Sequence, residues 1–128
     1  MASEAYQFEF EIKASPKVLY PYLSTASGLQ QWFADKVTVK NATQFNLIWD
    51  NESHLANLVS SKLNKFVKFE FDGGGDSKRI LDMSLNVSEV SNTTYLQIID
   101  SASKFKSDED AEELWEFLTE KLKEIVGS

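Results

Sequence analysis

The 128-residue sequence contains no cysteine and a single histidine, which limits the chemistry that the protein can carry. Without cysteine, disulfides and thiolate metal sites are excluded. His54 is the only histidine, so no further histidine is available for a multi-histidine metal site or for a histidine-based triad. No spacing of Ser, Asp and His indicates a nucleophile. The sequence therefore predicts no catalytic residue, no metal site and no cofactor.

The sequence also lacks a long apolar run and an excess of basic residues. No apolar stretch approaches the roughly 20 residues that a membrane-spanning helix needs, so no membrane insertion is expected. The N-terminus has neither the basic start nor the apolar core of a secretory signal, and we expect a soluble cytoplasmic protein. The net charge is −7, concentrated in the last twenty or so residues. A nucleic acid partner is not expected, because no basic excess is visible.

Proline and glycine are scarce, with two and five residues respectively, and the longest regular segment free of both covers 107–126. Apolar residues recur there at spacings of three and four, which predicts an amphipathic helix. Ser107 is a good N-cap and Gly127 a good stop signal. The stripe consists of Ala111, Leu114, Trp115, Leu118, Leu122 and Ile125. Such a helix needs an apolar surface to lie on.

The rest of the chain is typical of an antiparallel sheet. Residues 5–13 alternate strictly between apolar and polar, as in a half-buried strand. Ser15 and Pro16 then predict a helix start, a break is expected at Ser27-Gly28, and Leu29, Trp32 and Phe33 indicate a second short helix. Further strands are predicted at 36–40, 44–50, 54–61, 65–72, 79–88 and 93–100. The pattern predicts one α+β domain over 1–128, with a curved antiparallel sheet wrapped around the long C-terminal helix.

Two polar segments could form binding sites, one for a metal ion and one for a phosphate group. Asp50, Glu52 and His54 alternate and could point at a common ion, but Asp50-Asn51 is also a hairpin signal that would break their shared face, so a solvated strand start is favoured. The segment 72–76 reads Asp-Gly-Gly-Gly-Asp, which superficially suggests a phosphate cradle. A strand rather than a helix follows it, which favours a flexible hairpin.

The order of elements and several residues resemble the START-like, or helix-grip, domains. In that family a strand leads into a short helix with an Ala-Ser-Pro start, and a second short helix ends in Trp. The match is carried by Ala14, Ser15, Pro16, Tyr20, Leu23, Ser24, Trp32 and Phe33. The branch that looks most similar is named after the activator of the heat-shock chaperone ATPase and includes polyketide-cyclase-like proteins. The chain departs from it at Asp100, where a histidine is common, and at Leu114-Trp115, where Gly-Trp is common.

The resemblance implies a cavity between the long helix and the concave face of the sheet, where family members bind small apolar molecules. We expect a mostly apolar pocket of a few hundred Å³ (the range usual for small ligands), with few charged groups, widest near Trp32 and Phe33. The predicted ligand-binding residues are Trp32, Phe33, Trp49, His54, Phe69, Met83 and Trp115. Each of the large apolar ones is equally typical of ordinary core.

Three functions stay open at this point. The first is binding of a small apolar or amphipathic ligand without catalysis. The second is a protein-interaction module of the chaperone-ATPase-activator type, with a protein partner. The third is an enzyme of the cyclase or hydrolase type. Phe117 lies off the apolar stripe among acidic residues, as a single exposed aromatic, as a residue packed against the 101–106 loop, or as a homodimer contact.

Overall fold

The computed structural model describes residues 6–71, 79–88, 90, 93–101 and 108–126, and these form seven strands and three helices. The elements in chain order are β1 (Tyr6–Ile12), α1 (Pro16–Ser24), α2 (Ala26–Trp32), β2 (Lys36–Asn41), β3 (Gln44–Trp49), β4 (Glu52–Lys62), β5 (Phe66–Phe71), β6 (Arg79–Ser88), β7 (Thr93–Asp100) and α3 (Asp108–Val126). The predicted strands are confirmed to within two residues at each end.

All seven strands belong to one antiparallel sheet with the order β1-β7-β6-β5-β4-β3-β2. Strands β2 to β7 follow one another as sequential hairpins, and β1 joins the far edge beside β7. The sheet curves around α3, whose apolar stripe is buried against it. The predicted α+β helix-grip fold is therefore confirmed.

The strand pairing decides which side chains face α3, because residues directly opposite each other lie on the same face of a sheet. The sequence left the register of β4 ambiguous. In the structure Glu52, His54 and Ala56 lie opposite Trp49, Leu47 and Phe45. Since Phe45 and Leu47 are buried core residues, His54 and Glu52 also lie on the concave face.

The helical corner formed by α1 and α2 is fixed by side-chain caps. Ser15 accepts a hydrogen bond from the amide of Val18 at the start of α1. Thr25 ends α1 and also caps α2, since its hydroxyl accepts from the amide of Gly28 over 3.0 Å. The break predicted at Ser27-Gly28 was wrong: the chain turns at Thr25, and Gly28 lies inside α2. Its missing side chain allows the main chain of Pro21 and Tyr22 to approach closely.

Helix α3 buries the stripe that its spacing predicts. Ala111, Trp115, Leu118 and Leu122 are buried, while Leu114 and Ile125 are partly buried. The proposed cap Ser107 and stop Gly127 lie outside the described residues, as does the predicted hairpin at 72–76. None of the helices in the described part of the chain is long and apolar enough to cross a membrane.

Candidate functional site

A pocket of about 370 Å³ opens at the end of the concave face where the β3–β4 hairpin meets α3. Its apolar walls come from the corner after α2, from β3 and from α3, and its polar groups come from the hairpin and from β6. The lining residues are Phe33, Trp49, Asp50, Glu52, His54, Arg79, Leu114 and Leu118.

The β3–β4 hairpin brings acidic side chains to this pocket. Its two-residue loop, Asp50-Asn51, has positive φ at both positions (49° and 67°), as in a type I′ turn, which the right-handed twist of the strands favours. The amide of Asp50 donates to Oδ2 of Asp35 over 2.9 Å, which holds the turn against the segment that follows α2. As a result Asp50 and Glu52 both line the pocket and remain exposed to solvent.

Four aromatic rings form a packed wall at the base of the pocket. Phe33 stacks on Trp115 with ring centroids 5.7 Å apart and meets Trp49 edge-on at 5.2 Å. Trp49 also lies 5.4 Å from the His54 ring. The indole nitrogen of Trp49 donates to the main-chain oxygen of Phe33 over 2.6 Å, which fixes the indole orientation. The wall is therefore held in place without a ligand, as is usual for small-molecule sites.

A buried ion pair lies behind this wall. Arg79 donates from Nε and Nη2 to the two carboxylate oxygens of Asp100, at 2.9 and 2.7 Å. Asp100 has no exposed surface, and it also accepts a hydrogen bond from the Trp115 indole over 3.1 Å. The guanidinium of Arg79 lies 5.0 Å from the centroid of the Phe71 ring. Arg79 reaches the pocket with its charge already matched by Asp100.

The ion pair between Arg79 and Asp100 was not predicted from the sequence. A signal was present, because Asp100 shares the parity of Leu96 and Ile98 on β7, and Arg79 shares that of Leu81 on β6. Period-two alternation thus placed both charges on the inner face. Arg79 and Asp100 both lie at a strand end, however, where charged side chains are usually exposed to solvent.

The predicted site residues fall into two groups. Phe33, Trp49 and His54 line the pocket, and Trp115 stacks on Phe33 from behind. The others, Trp32, Phe69 and Met83, are fully buried in the core. The Trp32 indole donates to the main-chain oxygen of Tyr22 over 2.8 Å, so it ties α2 to α1.

The expectation of few charged groups in the pocket was wrong. The hairpin turn does not separate Asp50 and Glu52 from His54, because all three line the same pocket. Arg79 is a further charged residue of its lining. The described residues nevertheless contain no cluster of three His, Asp or Glu side chains that could hold a metal ion.

Comparisons with known proteins agree with this architecture. A family model described as the START-like superfamily domain matches residues 1–128. The Aha1 dimer from Colwellia psychrerythraea superposes with a TM-score of 0.79 at 20% identity, covering 98% of this chain and 96% of that one. Protein MLL2253 from Mesorhizobium loti gives 0.79 at 18% identity, covering 97% of both chains. BfR322 from Bacteroides fragilis gives 0.66 at 24% identity, covering 98% and 92%. A search of curated proteins finds no match. At these identities the structural likeness shows the fold alone.

Proposed function

Because the chain belongs to the START-like superfamily, we propose that it binds a small amphipathic molecule in the pocket between the β3–β4 hairpin and α3. The observation that carries the proposal is the preorganised aromatic wall facing a space of about 370 Å³. This volume lies within the range of roughly 300–1,000 Å³ that is common for small-ligand sites. Apolar walls with a few polar groups at one side favour a ligand that has an apolar body and a polar end.

The contacts of the buried carboxylate favour binding without catalysis. Asp100 accepts hydrogen bonds from two nitrogens of Arg79 and from Trp115, which together occupy three of its roughly four lone-pair sites and connect three elements. A general base needs a free lone pair aimed at the proton that it removes. Among the described residues, His54 packs against Trp49 and shares no hydrogen bond with a hydroxyl group, which favours a ligand contact over activation of a nucleophile. We therefore consider a cyclase or hydrolase function less well supported than ligand binding.

A protein-interaction role, of the kind expected from the chaperone-ATPase-activator branch, is the second candidate. The observation that favours it is Phe117, a large aromatic that is 59% exposed on the outer side of α3. Exposed aromatics are enriched at the centres of protein interfaces. The ring is flanked on the helix surface by Glu113 and Glu120, so a partner for this surface would carry basic groups around an apolar contact.

A direct test uses the neutral apolar dye Nile red and a substitution that fills the pocket. Leu114 lines the pocket and is partly exposed, so Leu114→Trp adds volume there with little disturbance of the core. Leu63→Trp is the matched control, because Leu63 is 74% exposed and does not line the pocket. Saturable dye binding by the parent and by Leu63→Trp, and at least tenfold weaker binding by Leu114→Trp, is the expected result. Equal affinity in all three proteins, or no saturable binding, would remove the pocket as the functional site.

A further inference from the structure

Among the described residues that line the pocket, the charges do not cancel. Asp50 and Glu52 contribute two carboxylates, and Arg79 contributes one guanidinium. The guanidinium forms a two-pronged ion pair with Asp100, which is itself completely buried. Since Asp100 balances the charge of Arg79, the two carboxylates at the mouth set the sign of the local field. The overall net charge of −7 has the same sign.

The two mouth carboxylates are also available. Asp50 uses its amide, not its carboxylate, to contact Asp35. Within the described part of the chain, neither the Asp50 nor the Glu52 carboxylate has a hydrogen bond or an ion pair. The Trp49 ring, whose face attracts cations, lines the same pocket, and Trp49 lies directly opposite Glu52 in the sheet.

We propose that the pocket selects a cationic amphipath, meaning a molecule with an aromatic or alicyclic body and an ammonium or amidinium group. This inference rests on the proposed ligand-binding function and specifies its ligand class. The apolar body packs against Phe33, Leu114 and Leu118, and the cation lies at the mouth between Asp50, Glu52 and the Trp49 ring. Carboxylates and an aromatic face together recognise such a group through charge and cation–π attraction.

An anionic ligand is disfavoured by the same geometry. Its carboxylate would approach Arg79 past Asp50 and Glu52, which repel it. To use the Nε and Nη2 donors of Arg79 it would displace Asp100, and that would deprive a fully buried carboxylate of its two hydrogen bonds from the guanidinium. An uncompensated buried charge is strongly unfavourable.

Three probes that share one ring system test the proposal: 2-(2-naphthyl)ethylamine, 2-(2-naphthyl)ethanol and 2-naphthylacetate. Their affinities for the full chain are measured by calorimetry at low and at high salt. The amine should bind roughly fivefold to tenfold more tightly than the alcohol at low salt, and the carboxylate most weakly. High salt should reduce this difference, because the mouth is exposed to solvent.

The double variant Asp50→Asn/Glu52→Gln should abolish the preference for the amine, so that the amine and the alcohol bind with affinities within about twofold of each other. The matched control Glu9→Gln/Glu11→Gln removes the same charge from residues that point away from α3 on β1, and should keep the preference. Binding of the alcohol with no preference for the amine, or tightest binding of the carboxylate, overturns the cationic ligand but leaves the pocket as a binding site. A preference that survives in the Asp50/Glu52 variant also overturns it. If none of the three probes binds and Nile red binding is also absent, the proposed function itself fails.

Discussion

The indole of Trp115 on α3 donates a hydrogen bond to the completely buried carboxylate of Asp100 at the end of β7. The same carboxylate is bound by Arg79 at the start of β6. One acidic side chain therefore joins the long helix to two neighbouring strands. Phe33, which stacks on Trp115, extends this connection to the wall of the pocket. The rigidity of the pocket thus depends on a polar cluster beneath it.

Two substitutions of Trp115 distinguish the stability contributed by its packing from the stability contributed by its hydrogen bond. Trp115→Ala should lower the free energy of unfolding by about 3–5 kcal/mol, because it empties a large buried aromatic site. Trp115→Phe retains most of the volume but loses the hydrogen bond to a charged acceptor, and should cost about 1.5–3 kcal/mol. Urea denaturation measures both. Phe117→Ala on the exposed side of the same helix is the control and should change stability by about 0.5 kcal/mol or less. An unchanged midpoint for Trp115→Ala would contradict the buried position.

Removing the guanidinium of Arg79 should deprive the buried carboxylate of Asp100 of a charged partner and two hydrogen bonds. Arg79→Met should therefore destabilise the domain by about 3–5 kcal/mol, as expected when one partner of a buried ion pair is removed. Lys62→Met, on an exposed residue of β4, tests for a general effect of losing one positive charge. Combining Arg79→Met with Asp100→Asn should recover part of the loss, since no unpaired charge remains. A double variant that is as unstable as the sum of the single variants would show that the two side chains act independently.

The close approach at Gly28 predicts a large effect from one methyl group. A Cβ at this position would lie 2.6 Å from the Cα of Tyr22 and even closer to the main-chain oxygen of Pro21. Neither atom can rotate away, so Gly28→Ala should force α1 and α2 apart and cost about 1–3 kcal/mol. Ser27→Ala, at the preceding exposed position of α2, places the same alanine side chain on the helix without this contact and should be nearly neutral. Equal melting temperatures for the two variants would rule out the clash.

Phe117 offers a test of self-association. The Lys121 ammonium lies 4.5 Å from the centroid of its ring, so the aromatic face is already covered by a cation from the next helical turn. Glu113 and Glu120 also flank the ring, and two copies of this surface would bring these like charges together. We therefore expect the parent and Phe117→Glu to sediment with the same monomeric mass. A parent dimer that dissociates in Phe117→Glu would instead identify this surface as a homodimer contact.

Much of the fold follows from sequence patterns because the patterns are long. The strict alternation in β1 and the apolar stripe of α3 each repeat several times, so single exceptions do not obscure the period. The break between α1 and α2 was misplaced because glycine usually signals the end of a helix, whereas Gly28 serves a close backbone contact. Thr25 makes the break instead, through a hydroxyl that caps the second helix.

The pocket was harder to predict because it depends on register and on hairpin geometry. His54 lies on the concave face only because Asp50-Asn51 makes a two-residue turn that pairs Trp49 with Glu52. The same turn brings the carboxylates of Asp50 and Glu52 into a pocket that was expected to contain few charged groups. Trp32, Phe69 and Met83 are as large and apolar as Phe33 and Trp49, and composition alone cannot separate core residues from pocket walls. Their ligand-binding role stays a prediction, and probe binding to variants of each is the test.

Strand β1 comes early in the chain but completes the sheet at β7, where Tyr6 lies opposite Asp100. Strands β2 to β7 can pair as each new hairpin is synthesised, whereas β1 has no partner until β7 exists. Contacts between distant parts of a chain slow folding, because the intervening loop must close first. We therefore expect the meander from β2 to β7 to assemble ahead of β1. During synthesis on the ribosome, β1 would therefore stay unpaired, with Phe8 and Phe10 exposed to solvent, until almost the whole domain had emerged.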